Sequence, residues 1–174
     1  MLTILILSSI ILAVGTGCSS SAASEGGRPT VAAFDVGRFM GVWYEIARFD
    51  HRFERGLEQV ETRYELRPDG RISVWNSGVD ERTGKRRSVR GKAHAGRRPG
   101  QLRVSFFWFF YSDYDVLALG EEYDWALIGS RSAKYLWILS RTPELPAETT
   151  ERIVRQAREL GYPVERLYFV DQTR

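Results

Sequence analysis

From Gly41 to Arg141 the chain is a series of short runs that alternate apolar and polar residues, punctuated by turns. Val60, Thr62, Tyr64 and Leu66 interleave with Glu61, Arg63, Glu65 and Arg67. That period of two makes a strand with one apolar and one charged face. Pro68-Asp69-Gly70-Arg71 supplies a hairpin turn. The same grammar predicts strands over 41–49, 60–67, 72–79, 88–95, 102–106, 114–119, 123–129 and 134–140, with a longer aromatic loop over 107–113. No crossover helix separates them, so the sheet must be an antiparallel up-and-down meander. Closing it into an eight-stranded barrel removes the edges that otherwise invite aggregation. The fold class expected is all-β.

The last three strands break the alternation. Val116-Leu117-Ala118-Leu119, Trp125-Ala126-Leu127-Ile128 and Leu136-Trp137-Ile138-Leu139 are apolar on both faces. Something must cover their outer side. The helix candidate over 147–160 carries Ile153, Val154, Ala157 and Leu160 on one stripe, with Pro146 before it and Gly161 and Pro163 after it. One C-terminal α-helix packed on the outside of the barrel follows. Residues 164–170 read as a short extra strand or extended tail.

Strand order also sorts the loops into two ends. Gly41 and Trp43 start the first strand and Arg141 follows the eighth, so these three share one end. A guanidinium over the Trp43 ring would contribute about 0.5–2 kcal/mol and seal a floor. The aromatic content, five Trp, eight Tyr and nine Phe, suits strands and a large apolar interior. Inward candidates for a ligand cavity are Ala47, Phe49, Tyr64, Val74, Asn76, Val89, Gly91, Phe106, Tyr114, Val116, Trp137 and Leu139. Small residues such as Gly91 leave volume, and the alternative is a barrel packed solid. Tyr64, Asn76 and Tyr114 either bond a ligand's polar group or bond each other or water. Phe53, Trp108, Phe109, Phe110 and Tyr111 gather at the opposite end as a mouth. They either dock on lipid or on a second copy of the chain, as a homodimer, or fold back as a lid.

Ahead of the barrel, residues 2–14 form an apolar run of signal-peptide length, followed by Gly15-Thr16-Gly17-Cys18. Small residues before a lone Cys resemble a bacterial lipoprotein signal. That resemblance implies cleavage after residue 17, acylation of Cys18 and a membrane anchor through the lipid. The alternative is an ordinary secretory signal with an incidental Cys. Ser19 rather than Asp after the Cys favours the outer membrane. Residues 18–33 are rich in Ser, Ala and Gly and read as a flexible tether, leaving 34–174 as the folded domain.

Gly41-x-Trp43, the Tyr123-Asp124-Trp125 stretch and Arg141 in Leu136-Trp137-Ile138-Leu139-Ser140-Arg141-Thr142-Pro143 resemble the three signature regions of the lipocalin family. The text Trp43-Tyr44-Glu45-Ile46-Ala47-Arg48-Phe49-Asp50 is similar to the bacterial outer-membrane lipoprotein branch and its apolipoprotein D relatives. The likeness spans about 34–172. It implies a carrier of fatty acids or lysophospholipids in the cell envelope, with a role in membrane storage, transport or repair.

Other functions find little support in the residues. Between Arg82 and Arg103 lie nine cations and no Asp or Glu. This run falls mostly on an outer face, either simply solvated or turned toward anionic lipid. Nucleic acid does not suit an exported chain. No Ser/His/Asp arrangement or metal-ligand spacing is present, so no enzyme, metal or cofactor is expected. A haem-binding barrel is the rival binding class. It wants an inward histidine, and His94 falls on the outward parity of Arg90 and Lys92. A lipid-modifying enzyme is the more distant alternative.

Overall fold

The computed structural model describes residues 28–107 and 110–173. The expected signal sequence with Cys18, the first part of the expected tether, Trp108 and Phe109 lie outside the described residues. A one-turn helix α1 (Val36–Phe39) leads into eight strands: β1 (Gly41–Phe49), β2 (Leu57–Leu66), β3 (Ile72–Asp80), β4 (Arg86–Ala95), β5 (Gln101–Phe107), β6 (Phe110–Leu119), β7 (Trp125–Gly129) and β8 (Leu136–Ser140). Helix α2 (Ala147–Glu159), a 3-10 turn and a short β9 (Leu167–Phe169) follow. Every neighbouring pair is antiparallel, and β1 pairs with both β8 and β2, which closes the barrel. This is the expected eight-stranded up-and-down barrel with one helix outside.

Several strand ends shift by two or three residues from expectation, and two differences reach further. The aromatic residues flanking 108–109 are strand rather than loop: Phe107 ends β5, Phe110 begins β6, and the two pair. Aromatic side chains favour extended backbone, and hydrophobicity alone does not separate strand from loop there. The second difference lies at the closing seam. β1 and β2 pair only over Gly41–Tyr44 and then part. The tail fills the gap. β9 pairs with Ala47, Arg48 and Phe49, while Gln59 N–H donates to Asp171 O and the Gln172 amide donates to Glu45 O and Val60 O.

Two buried clusters account for the faces. Val116, Ala126, Ile128 and Leu139 point inward and join Phe39, Trp43 and Tyr64 in the cluster at the barrel's base. Leu117, Leu127, Leu136 and Ile138 point outward beneath Ile153 and Ala157 of α2. Both helix residues are fully buried. Burial of an isoleucine contributes about 1.5–3 kcal/mol. The doubly apolar strands are therefore those sandwiched between cavity and helix.

Candidate ligand-binding cavity

The base of the barrel is sealed by side chains. Trp43 is fully buried and its Nε1–H donates to Phe39 O at 2.8 Å. The Arg141 guanidinium lies 3.8 Å from the Trp43 ring centre. It also donates to Val42 O, Arg38 O and Tyr123 O. Burial lowers the Arg141 pKa. Gly41 has φ +98°, and a Cβ there would sit 3.2 Å from Arg141 Nη1, so glycine admits both the backbone turn and the guanidinium.

Above this floor is a cavity of about 580 Å³. That falls within the range of small-molecule sites. Of the expected inward residues, Tyr64, Val74, Asn76, Val89, Phe106, Tyr114, Trp137 and Leu139 line it. Tyr64 and Tyr114 bond each other at 2.7 Å across the barrel. Burial raises both phenols above their ordinary range.

Four residues expected in the cavity do not line it. Ala47 and Phe49 face outward in the cluster under α2, with the Phe49 ring 6.1 Å from Tyr162 and the Arg166 guanidinium 4.9 Å from it. The pairing of β1 with β8 slips between Glu45 and Ala47, so simple alternation from Trp43 fails beyond that point. Gly91 faces inward opposite Val74, but the Phe106 ring covers it: a Cβ there would lie 2.7 Å from Phe106 Cδ1. Val116 is buried in the base cluster below the cavity. At the mouth, Phe53 and Phe110 line the opening. Tyr111, expected there too, turns outside beside His94 and Lys92.

The polar wall is what alternation did not single out. Glu45, His51 and Glu54 all line the cavity. Glu54 comes from the β1–β2 loop, which folds inward. Its carboxylate accepts from Asn76 Nδ2 at 2.7 Å and Trp137 Nε1 at 3.1 Å, with His51 Nε2 3.0 Å away. Arg48, fully buried, donates to Glu45 Oε1 at 2.8 Å and to the carbonyls of Glu54 and Leu57. Burial alone would raise the Glu54 pKa, but His51, Trp137 and Arg48 outweigh it and hold the carboxyl below its usual range. Burial, reinforced by Glu54, pushes Glu45 well above it. A readable signal existed for Glu45, which shares the parity of Trp43. His51 and Glu54 sit in a loop, where alternation says nothing. His94 is exposed, as its parity implied. Among the described residues no group of three metal-ligating side chains occurs.

Comparison with known proteins agrees with this architecture. Residues 34–172 match the family model of the lipocalin-like domain. The chain is 44% identical over 157 residues to the outer membrane lipoprotein Blc of Escherichia coli, covering 89% of this chain and 88% of that one. It is 32% identical over 154 residues to bovine apolipoprotein D, covering 83% and 80%. In fold it is similar to insecticyanin of the tobacco hornworm Manduca sexta, with TM-score 0.69, 20% identity and coverage of 84% and 85%. The chain belongs to the lipocalin family, whose barrels bind and carry small hydrophobic molecules.

Proposed function

We propose that this barrel carries one single-chain lipid, a fatty acid or a lysophospholipid, in the bacterial cell envelope, where it serves membrane maintenance under stress. An acylated Cys18 holds it on the outer membrane, facing the periplasm. The observation that carries the reading is the cavity of about 580 Å³, closed below by Trp43, whose lining surface is mostly apolar although polar and charged side chains such as Glu45, His51, Glu54, Asn76 and Asp113 contribute to it. Such a space accepts an alkyl chain and leaves polar groups to meet a headgroup near the mouth. The cellular placement follows the Gly15-Thr16-Gly17-Cys18 sequence and the similarity to the outer membrane lipoprotein of Escherichia coli. The test is native mass spectrometry of protein taken from its host, with extraction of bound lipid. One single-chain lipid per barrel, recovered unhydrolysed, supports the reading; an empty barrel that also refuses added lipid opposes it.

A porphyrin is the second reading, favoured by one observation. His51 lines the cavity, with the Tyr135 and Trp137 rings 5.3 and 5.6 Å from its own. Iron ligation would have to draw His51 away from Glu54. Titration with haem and an unchanged absorption band removes this reading.

A further inference from the structure

The lower part of the cavity carries a row of hydroxyls among apolar side chains. Thr62 and Tyr64 follow each other at the period of two along β2, so they share the inward face, and both are buried. The Tyr64 ring rests 5.3 Å from Phe39 of the base cluster. Tyr114 reaches across from β6, and its hydroxyl lies 2.7 Å from that of Tyr64. Thr62 is also within hydrogen-bonding reach of the Tyr64 hydroxyl. All three side chains line the cavity. The neighbouring wall is made by Val74, Val104, Phe106 and Leu139, whose side chains offer no acceptor.

Each hydroxyl brings one proton. Three hydroxyls in a row share two bonds, so one O–H proton finds no acceptor within the row. Among the described residues no further side-chain hydrogen bond of Thr62, Tyr64 or Tyr114 takes it. Burial holds both phenols above their ordinary range, so at neutral pH they keep their protons and act as donors. A donor that faces an apolar space without an acceptor is unfavourable. A ligand that brings an oxygen to this depth removes that cost.

Electrostatics decides which end of a ligand arrives there. Glu54 enters the cavity from the β1–β2 loop at the mouth, and its carboxyl is held below its usual range, hence ionised. A carboxylate or phosphate moving past it would meet like charge. Arg52, from the same loop, lines the opening. The anionic end of a single-chain lipid therefore stays near Arg52, and the far end of its chain descends to Tyr64 and Tyr114.

We infer that the row of Thr62, Tyr64 and Tyr114 recognises an oxygen near the far end of the ligand's chain, so that the barrel prefers a terminally hydroxylated acyl chain to a plain one. The inference rests on the reading that the cavity holds a single-chain lipid with its headgroup at the mouth. A terminal hydroxyl accepts the spare proton, whereas a methyl group in its place leaves the donor alone. Sites that bond a ligand hydroxyl discriminate strongly against the analogue that lacks it.

The test is calorimetric titration of the full chain, as parent and as Tyr64→Phe/Tyr114→Phe, with palmitate, ω-hydroxypalmitate and β-hydroxypalmitate. In the parent, ω-hydroxypalmitate is expected to bind several-fold tighter than palmitate. β-Hydroxypalmitate, whose hydroxyl stays beside the carboxylate, is expected to bind no tighter. In the double variant the ratio of the ω-hydroxypalmitate and palmitate affinities is expected to fall by about tenfold or more. Equal or weaker binding of ω-hydroxypalmitate by the parent overturns the inference, and so does an equal gain with β-hydroxypalmitate. An unchanged ratio in the double variant overturns it too, because recognition then lies elsewhere. The comparison among the three lipids in the parent needs no variant, so it stays decisive if the double variant does not fold. A parent that binds none of the three refutes the carrier reading and the inference together, whereas palmitate bound without preference refutes the inference alone.

Discussion

Tyr64 on β2 and Tyr114 on β6 share a hydrogen bond of 2.7 Å across the barrel. The two strands stand opposite each other in an eight-stranded ring. The Tyr64 ring lies 5.3 Å from Phe39 in the base cluster, and the Tyr114 ring 6.1 Å from Trp137 in the cavity wall. The pair is thus a strut between floor and cavity. Tyr64→Phe leaves the buried Tyr114 hydroxyl without its partner and is expected to cost about 1–3 kcal/mol, and Tyr114→Phe, which leaves Tyr64 beside Thr62, should cost less. The double variant should cost less than the sum of the singles, giving a coupling of about 1 kcal/mol in a denaturant-unfolding cycle. Strict additivity would mean that the bond contributes nothing.

At the base, Arg141→Ala removes the cation over Trp43 and three bonds to carbonyls. A loss of about 2 kcal/mol is expected, and Trp43→Ala should cost about 3–5 kcal/mol. Neither residue lines the cavity, so lipid affinity measured on the folded fraction should stay within about twofold. A shift in ligand preference at unchanged stability would assign these residues to recognition instead.

Glu54 gives the chain a pH signature. Its pKa is lowered in the folded state from the ordinary 4.5. The stability it contributes is therefore complete above pH 4.5 and is lost as pH falls through the lowered value. Glu45 is raised and works in the opposite sense, its contribution declining as pH rises above 4.5. Glu54→Gln is expected to cost about 2 kcal/mol at pH 7 and to flatten the acid limb of stability against pH. Thermal melts from pH 3 to pH 7 check both. An acid limb as steep as that of the parent would show that Glu54 does not set it.

The tail is expected to keep the barrel shut. Tyr168 Oη bonds the Glu58 carboxylate, and that contact, ahead of burial, pushes the Tyr168 pKa up to about 12. Ending the chain before Leu167 removes this bond, β9 and the buried Val170, and leaves the seam between β1 and β2 open above Tyr44. A loss of about 2–4 kcal/mol follows from the burial and hydrogen bonds removed. Lipid should also leave faster, as seen by stopped-flow displacement. An unchanged off-rate would show that the seam does not gate the ligand.

Much of this was legible in the residues because period-two alternation reports directly on which face meets water. The barrel, the flanking helix and the meeting of Trp43 with Arg141 all follow from it and from strand order. Alternation assumes an unbroken ladder, however. The slip after Glu45 is written in the pairing of β1 with β8, not in β1 itself, and it turns Ala47 and Phe49 outward. The insertion of β9 between β1 and β2 is likewise a matter of partners far apart in the chain. Glu54 enters the cavity because Arg48 draws in its loop by two carbonyls. No local pattern encodes such a bond.

The central claim, that ligand occupies the space above Trp43 and that the outward face of β1 only supports the wall, is tested most directly by paired lipid titrations. Val104 lines the cavity, whereas Phe49 is buried under α2. Lysophospholipid binding is measured by quenching of Trp fluorescence in Val104→Trp and in Phe49→Ala. The first should fill the cavity and weaken affinity more than tenfold. The second should lose about 3–5 kcal/mol of stability and bind as the parent does while folded. Full affinity in Val104→Trp, or its loss in folded Phe49→Ala, would contradict the placement of the site.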